Sequence, residues 1–512
     1  MPCYCKNTDW KRYSNRNEKC LNIISEKNIG IERSVKNMTF DKENFKVEEL
    51  TLEGETIRFR SYRNLIYVNH PVNEEFQQMN IFAPEDYYEG KEINGYNLDT
   101  APVFMPNTVG GYMPGELDEP GYNKFERDKI NSIFRALQHG YVVAAPAIRG
   151  RVQQDAEGNY NGKAPACIVD YKAAVRYLHY FAKDLPGDED KIITNGTSAG
   201  GALSSLMGAT GNHPDYEPYL KELGAAEASD VIFAASCYCP ITNLDHADMA
   251  YEWEFAGVND YHRMNMKMEE GGRPSFTPED GEMTGKQIQV SAEEAKLFPA
   301  YVNSLHLKDE NGEELTLDEN GNGSFKEYVK QVVMASAQSE LEHPKKATGP
   351  VPPAPVESKS WLTIRDGKVV DMDFAAYVKD ITRMKTAPAF DDLGLHSPEN
   401  DLFGDAHTNC RHFTEYSRTH SESAGEMAEE QVIKMMSPMD YIFDEKADTA
   451  KYFRIRHGEC DRDTSLAISA MLTLKLKEAG CEVDYHSPWN VPHAGDYDLD
   501  ETFAWIDEIC RK

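Results

Sequence analysis

The chain has 512 residues, 40% of them hydrophobic and 10% aromatic, enough for a sizeable core in two or three domains or in one large unit with an insertion. No run approaches the ~18 apolar residues of a membrane span, which excludes a membrane partner of that kind. The 86 acidic side chains outnumber the 54 basic ones, and the resulting net charge of -32 repels phosphate backbones and argues against a nucleic-acid partner.

The ten cysteines are scattered and form no Cys-x-x-Cys pair, so a zinc ribbon is not expected. Cys237 and Cys239, two apart on a strand, would share a face with their side chains about 6–7 Å apart, which makes them poor disulfide partners, and the thiols are read as mostly buried and reduced. A polar segment, residues 1–41, opens the chain without the apolar stretch of a secretory signal, so a cytoplasmic location is expected.

From Thr56 the pattern is strand-rich. "TIRFRSYRNLIYV" and "FQQMNIFAP" alternate apolar and polar residues as half-buried edge strands do. "APVFMPNTVGGYMPGE" is an apolar strand broken by Pro106 and then by Gly110-Gly111, and "GYVVAAPAIRGR" reads as a strand covered on both faces. "ACIVDYKAAVRYLHYFAKDL" sets Ile168, Tyr171, Val175 and Leu178 at helical spacing. Next comes "KIITNGTSAGGALSSLMG", a strand that runs through Gly-Thr-Ser-Ala-Gly into a helix, and then the strand "DVIFAASCYCPITNL".

The alternation stops over residues 245–436, which are more charged and include "ATGPVPPAPVESKS", expected to be extended rather than packed. It resumes with the strand "KYFRIRHGECD", the helix "TSLAISAMLTLKLKEAG", the strand "CEVDYHSPW" and a helix from about Asp498. Strands alternating with helices imply an α/β fold with a mostly parallel central sheet. Residues 42–244 and 437–512 would form its core, with 245–436 inserted as a large lid domain.

A Gly-x-Ser-x-Gly between strand and helix is a nucleophile elbow. Its turn exposes the Ser198 hydroxyl above the carboxyl edge of the sheet. It also sets the Ala199 N–H and the helix N-terminus where a developing oxyanion would lie. A serine needs a base to take its proton and an acid to orient that base, and in this arrangement the chain order is serine, acid, histidine. "KYFRIRH" empties into a loop offering Glu459, Asp461 and Asp463, of which Asp461 is favoured as the acidic residue for the triad. "CEVDYHSPW" empties into "NVPHAGDYD", which offers His493; His486 lies in the strand pattern and His457 precedes the acidic loop. The second oxyanion donor is expected from "NTVGGYMPG", through Gly110 or Gly111.

The core resembles the α/β-hydrolase esterases. The set "NGTSAGGA", "MKTAPAFDDLG", "ENDLFG" and "VPHAGDYD", with a long insertion before the acid, is similar to the bacterial tannases from about Phe59 to the C-terminus. That resemblance implies hydrolysis of gallic acid esters, and of depsides, by Ser198, Asp461 and His493 through a galloyl-enzyme. It also implies that Lys385, Glu399 and Asp463 bind the three phenolic hydroxyls. The cysteines that flank serine and histidine in fungal tannases and feruloyl esterases are absent, since Thr197 and Ala494 stand there. A small phenolic ester is the expected partner and no cofactor is required.

"DENGNGSFKEYV" has the D-x-N-x-N-G spacing of a calcium loop at Asp318, Asn320 and Asn322, but Val329 stands where the bidentate glutamate belongs. A polar hairpin turn is expected there, and no metal is assigned. The rival readings are a feruloyl-type or general carboxylesterase, which shares the triad without the galloyl clamp, and a catalytically inactive binding protein of the same fold.

Overall fold

A computed structural model describes residues 38–124, 129–269, 273–344 and 354–512. Its strands are β1 (Lys46–Leu52), β2 (Glu55–Ile66), β3 (Gln78–Pro84), β4 (Pro102–Pro106), β5 (Val142–Pro146), β6 (Asp188–Thr197), β7 (Ala234–Tyr238), β8 (Asp260–Glu269), β9 (Arg273–Glu282), β10 (Leu362–Arg365), β11 (Lys368–Met372), β12 (Tyr452–Arg456) and β13 (Glu482–His486). Nine of them form one sheet in the order β1-β2-β3-β5-β4-β6-β7-β12-β13. From β5 to β13 every pairing is parallel, while β1, β2 and β3 join antiparallel at one side. The mostly parallel sheet expected from the sequence is thus borne out.

The central strands carry no polar face. β4 (PVFMP), β5 (VVAAP) and β7 (AASCY) are buried at every position, because helices pack on both sides of a parallel sheet. In β12 the buried Arg454 and Arg456 are tolerated because Asp498 pairs with Arg454 and Asp484 lies 2.7 Å from Arg456. The helices Ala166–Tyr180, Ala199–Ala209, Leu466–Glu478 and Leu499–Cys510 fall where the sequence pattern put them.

Two strand assignments need correction. β3 lies between β2 and β5 and is buried along almost its whole length, not half-buried at an edge. β2 is half-buried as expected but is not an edge either, since it lies between β1 and β3; the edges are β13 and β1, whose mainly polar residues gave no apolar signal. A short helix, Ser132–His139, was also unforeseen; Asn131 caps it by accepting from the Phe134 N–H.

Among its described residues, the connection from β7 to β12 holds five helices of seven or more residues: Leu244–Glu254, Gly285–Ala295, Phe298–Ser304, Ser324–Glu342 and Phe374–Ile381. It also holds the antiparallel pairs β8–β9 and β10–β11. Trp253 gathers three of these helices, with Phe298, Phe325 and Phe374 ring centroids 5.1, 6.0 and 5.7 Å away. Residues 347–353 of the proline-rich stretch lie outside the described residues. At its far end Val356 is buried in a short 3-10 turn, so that end is packed rather than extended.

The Asp318 loop is a turn into the helix Ser324–Glu342, not a hairpin. The Asp318 carboxylate accepts from the Asn320 and Asn322 N–H groups at 2.8 and 3.0 Å, and Val329 is buried on the helix. Among the described residues seven cysteines are free, three of them buried and four half-buried. Cys3, Cys5, Cys20 and the rest of segment 1–37 lie outside the described residues. No helix among those described is long and apolar enough to cross a membrane.

Candidate active site

Ser198 sits between β6 and the helix Ala199–Ala209 with φ 59° and ψ −121°, a conformation that costs a non-glycine residue energy and persists only where the surroundings impose it. They impose it here. Its N–H donates to the Tyr238 carbonyl at 2.9 Å and its carbonyl accepts from the Ala202 N–H at 2.8 Å. The flanking glycines are sterically required: a Cβ on Gly196 would lie 2.3 Å from the Gly200 carbonyl oxygen, and one on Gly200 would lie 2.4 Å from Asn107 Oδ1.

Asn107, which begins the loop after β4, was not singled out in the sequence. Its amide donates to the Asn195 and Gly200 carbonyls, both at 3.1 Å, and its Oδ1 accepts from the Val109 N–H at 3.3 Å. That one side chain straps the glycine loop onto the elbow. A Cβ on Gly110 or Gly111 would meet nothing within 4 Å, so both residues border open space. The Gly111 carbonyl accepts from Arg151 Nε at 2.9 Å, and Arg151 pairs in turn with Asp401.

Asp461 and His493, on the loops after β12 and β13, meet at 2.8 Å between Oδ2 and Nδ1. The other carboxylate oxygen accepts from the Asp463 and Thr464 N–H groups at 2.8 and 3.3 Å. Burial opposes the charge of Asp461, yet His493 and His457 bring its pKa down to about 2. Burial likewise opposes a charge on His493, but Asp461, Cys239 and Asp463 outweigh it and hold the imidazole well above its ordinary value. His457 Nε2 is 3.6 Å from Asp461, beyond hydrogen-bond reach. Glu459 stands apart from this pair. It accepts from the Asn490 N–H at 3.2 Å and so braces the loop before His493, and burial raises its carboxyl to about 7.

Ser198 and Cys239 are the first residues past the neighbouring strands β6 and β7. His493 Nε2 lies 3.9 Å from Cys239 Sγ, so the imidazole stands over these same strand ends.

Beside this pair the β7–β12 connection delivers Lys385. Its Nζ is 2.9 Å from Asp463 Oδ1 and 4.0 Å over the Phe390 ring. Despite burial, Asp463 and Glu399 raise the Lys385 pKa. Glu399 lies in the first turn of a short helix, Pro398–Leu402, capped by Ser397, and burial raises its carboxyl against the pull of Lys385. The backbone that presents Lys385 is pinned twice. Arg383 is fully buried, with its guanidinium on Glu252 at 2.7 and 3.1 Å and Nε on the Lys385 carbonyl at 2.6 Å. The Tyr251 hydroxyl accepts from the Met384 and Lys385 N–H groups at 3.1 and 3.0 Å and donates to the Arg462 carbonyl at 2.8 Å. Arg462 lies between Asp461 and Asp463, so one phenol joins both halves of the site.

The family model BD-FAE matches residues 120–296, which include the elbow but neither Asp461 nor His493. A local match of 33% identity over 88 residues relates 17% of this chain to 20% of the esterase LipQ of Mycobacterium tuberculosis. Among solved structures, the tannase of Lactobacillus plantarum is 44% identical with a TM-score of 0.88 over 93% of this chain and 100% of its own. The tannase of Fusobacterium nucleatum is 46% identical with a TM-score of 0.87 over 93% of this chain and 99% of its own. A tannin acyl hydrolase in complex with ethyl gallate is 44% identical with a TM-score of 0.85 over 92% and 99%. With likeness of that degree running over almost the whole of both chains, the chain belongs to the bacterial tannases, carboxylic ester hydrolases of the α/β-hydrolase fold.

Proposed function

We propose that this enzyme cleaves galloyl esters, simple gallates and depsides, to gallic acid through a galloyl-serine intermediate. Ser198 is the nucleophile, His493 the base, and Asp461 the acid that orients it. Asp461 takes the Nδ1–H of His493, which leaves Nε2 to accept the Ser198 proton. Ser198 Oγ adds to the ester carbonyl, and the Ala199 N–H with one from Gly110 or Gly111 stabilises the oxyanion. His493 then gives its proton to the leaving alcohol, and a water activated by the same nitrogen releases the acid.

Residues 245–436 act as the lid that confers specificity. Phenolic hydroxyls donate to the Glu399 and Asp463 carboxylates, while the Lys385 ammonium donates to a phenolic oxygen and favours its ionisation. The observation that carries this reading is the Lys385–Asp463 ion pair at 2.9 Å, with Glu399 coupled to it, next to Asp461 and His493. A ring without hydroxyls would bury this charged cluster without supplying the hydrogen bonds it is built to accept and donate, at a cost of up to roughly 10⁴-fold in discrimination. The ethyl gallate bound by the 44% identical relative supports the same substrate class. The test is turnover of methyl gallate, methyl ferulate and methyl benzoate by the wild type and by Ser198→Ala. Turnover confined to gallate and lost in the variant is expected; equal turnover of all three esters would make this a general esterase.

A further inference from the structure

Cys239 has no role in the mechanism above, yet among the described residues Cys239, Asp461 and His493 are the one group whose sulfur, carboxylate and imidazole atoms all lie within 4.8 Å of one another. Cys239 follows the end of β7 with φ 35°, a strained value for a side-chain-bearing residue, and it is buried. Its thiol touches only weak partners, the Ala494 carbonyl at 3.5 Å and His493 Nε2 at 3.9 Å. His493 is 23% exposed, so its ring edge is open to small solutes.

We propose that this corner is an inhibitory site for a thiophilic divalent cation of the zinc class, held between Cys239 Sγ and His493 Nε2. Zinc binds sulfur at ~2.3 Å and imidazole nitrogen at ~2.0–2.1 Å, and those bonds span 3.9 Å at an S–Zn–N angle of about 127°, a modest opening of the tetrahedral angle. The observed separation therefore accepts the ion with little movement of either side chain.

Asp461 supplies the outer contact. A carboxylate that takes the far N–H of a metal-binding imidazole fixes its tautomer and raises its basicity, and Asp461 Oδ2 does this at 2.8 Å from Nδ1. Binding replaces the weak S–H contact to Ala494 with a metal–thiolate bond and releases to solvent the thiol proton and, where His493 is protonated, the Nε2 proton, with no redox change. The remaining coordination positions fall to water, which makes the site weaker than a structural zinc centre and reversible by chelators.

The consequence follows from which lone pair the ion occupies. Nε2 is the nitrogen assigned to take the Ser198 proton, so a metallated His493 cannot act as base. The inhibition rests on that reading of His493, whereas the binding does not.

Co²⁺ serves as the spectroscopic probe on the full chain in chelator-treated buffer. The wild type and Ser198→Ala should both develop thiolate-to-cobalt charge-transfer absorption that saturates near one ion per chain and is missing in Cys239→Ala and Cys239→Ser. Zn²⁺ should suppress wild-type turnover of methyl gallate, and EDTA should restore it. Against each variant's own zinc-free rate, the half-inhibiting concentration should rise in both cysteine variants by more than the roughly 10- to 100-fold that loss of an outer-shell partner alone costs. Absorption that persists in both cysteine variants, or zinc inhibition equal in all three proteins, would overturn the proposal. Unimpaired turnover by Ser198→Ala would refute the serine mechanism, while the cobalt absorption would still report on the site.

Discussion

Lys385→Met is the most informative perturbation of the proposed substrate clamp. Methionine keeps much of the apolar stem over Phe390 but removes the ammonium that sits 2.9 Å from Asp463 and is coupled to Glu399. Loss of a hydrogen bond to a charged group costs about 1.5–3 kcal/mol, which is roughly 10- to 150-fold in kcat/KM. That loss should fall on methyl gallate and spare methyl benzoate, which offers the clamp nothing to bind.

The variant should also acquire a diagnostic pH dependence. Burial already raises the Glu399 carboxyl, and Lys385 works against that shift. Without the lysine the carboxyl rises further, and two carboxylates face each other with no cation between them. Lowering the pH protonates Glu399 and relieves the repulsion. The ratio of gallate to benzoate turnover, in which the common His493 limb cancels, should therefore recover toward acid pH. An equal loss on both esters, at a ratio that does not move with pH, would refute the clamp.

Asp461→Asn should lower kcat by about 10⁴-fold with KM little changed, because the amide favours the wrong imidazole tautomer; a loss below tenfold would remove Asp461 from the triad. In the wild type the acid limb of kcat/KM should lie above the ordinary histidine value of ~6.5, because His493 is raised and acts only when neutral. Asp463 contributes to that elevation, so Asp463→Asn should move the limb downward, and a stationary limb would contradict the assignment. Arg383→Met strands the fully buried Glu252 carboxylate and should cost about 3–5 kcal/mol in denaturant unfolding, partly regained by adding Glu252→Gln; an unchanged midpoint would refute that pairing.

The elbow was legible in the sequence because its tightest constraint on Gly196 is local: a Cβ there would meet the Gly200 carbonyl four positions on. The central strands were legible for the same reason, since a run such as VVAAP needs cover on both faces. β3 was misread because alternation records polarity and says nothing of which strands lie alongside, and β1 escaped because an edge strand can be largely polar. Lys385 and Glu399 look like solvated charges along the chain, and only their likeness to known motifs marked them. The buried Arg383–Glu252 pair spans 131 positions, and no local pattern announces a contact of that separation. Asn107 is similar: its partners at Asn195 and Gly200 belong to the next strand and its turn.

Tyr251 has a wider consequence. Its hydroxyl uses its full bonding capacity, one donor and two acceptors, on Arg462 in the triad loop and on Met384 and Lys385 in the insertion. On the proposed roles, recognition and catalysis turn on a common pivot, and the insertion is not an interchangeable cap on an independent engine. Grafting it onto another esterase would transfer the lysine without the loop that sets its distance to the nucleophile. New ring specificity is better sought at Glu399 and Asp463, where side chains can change while that pivot stays still.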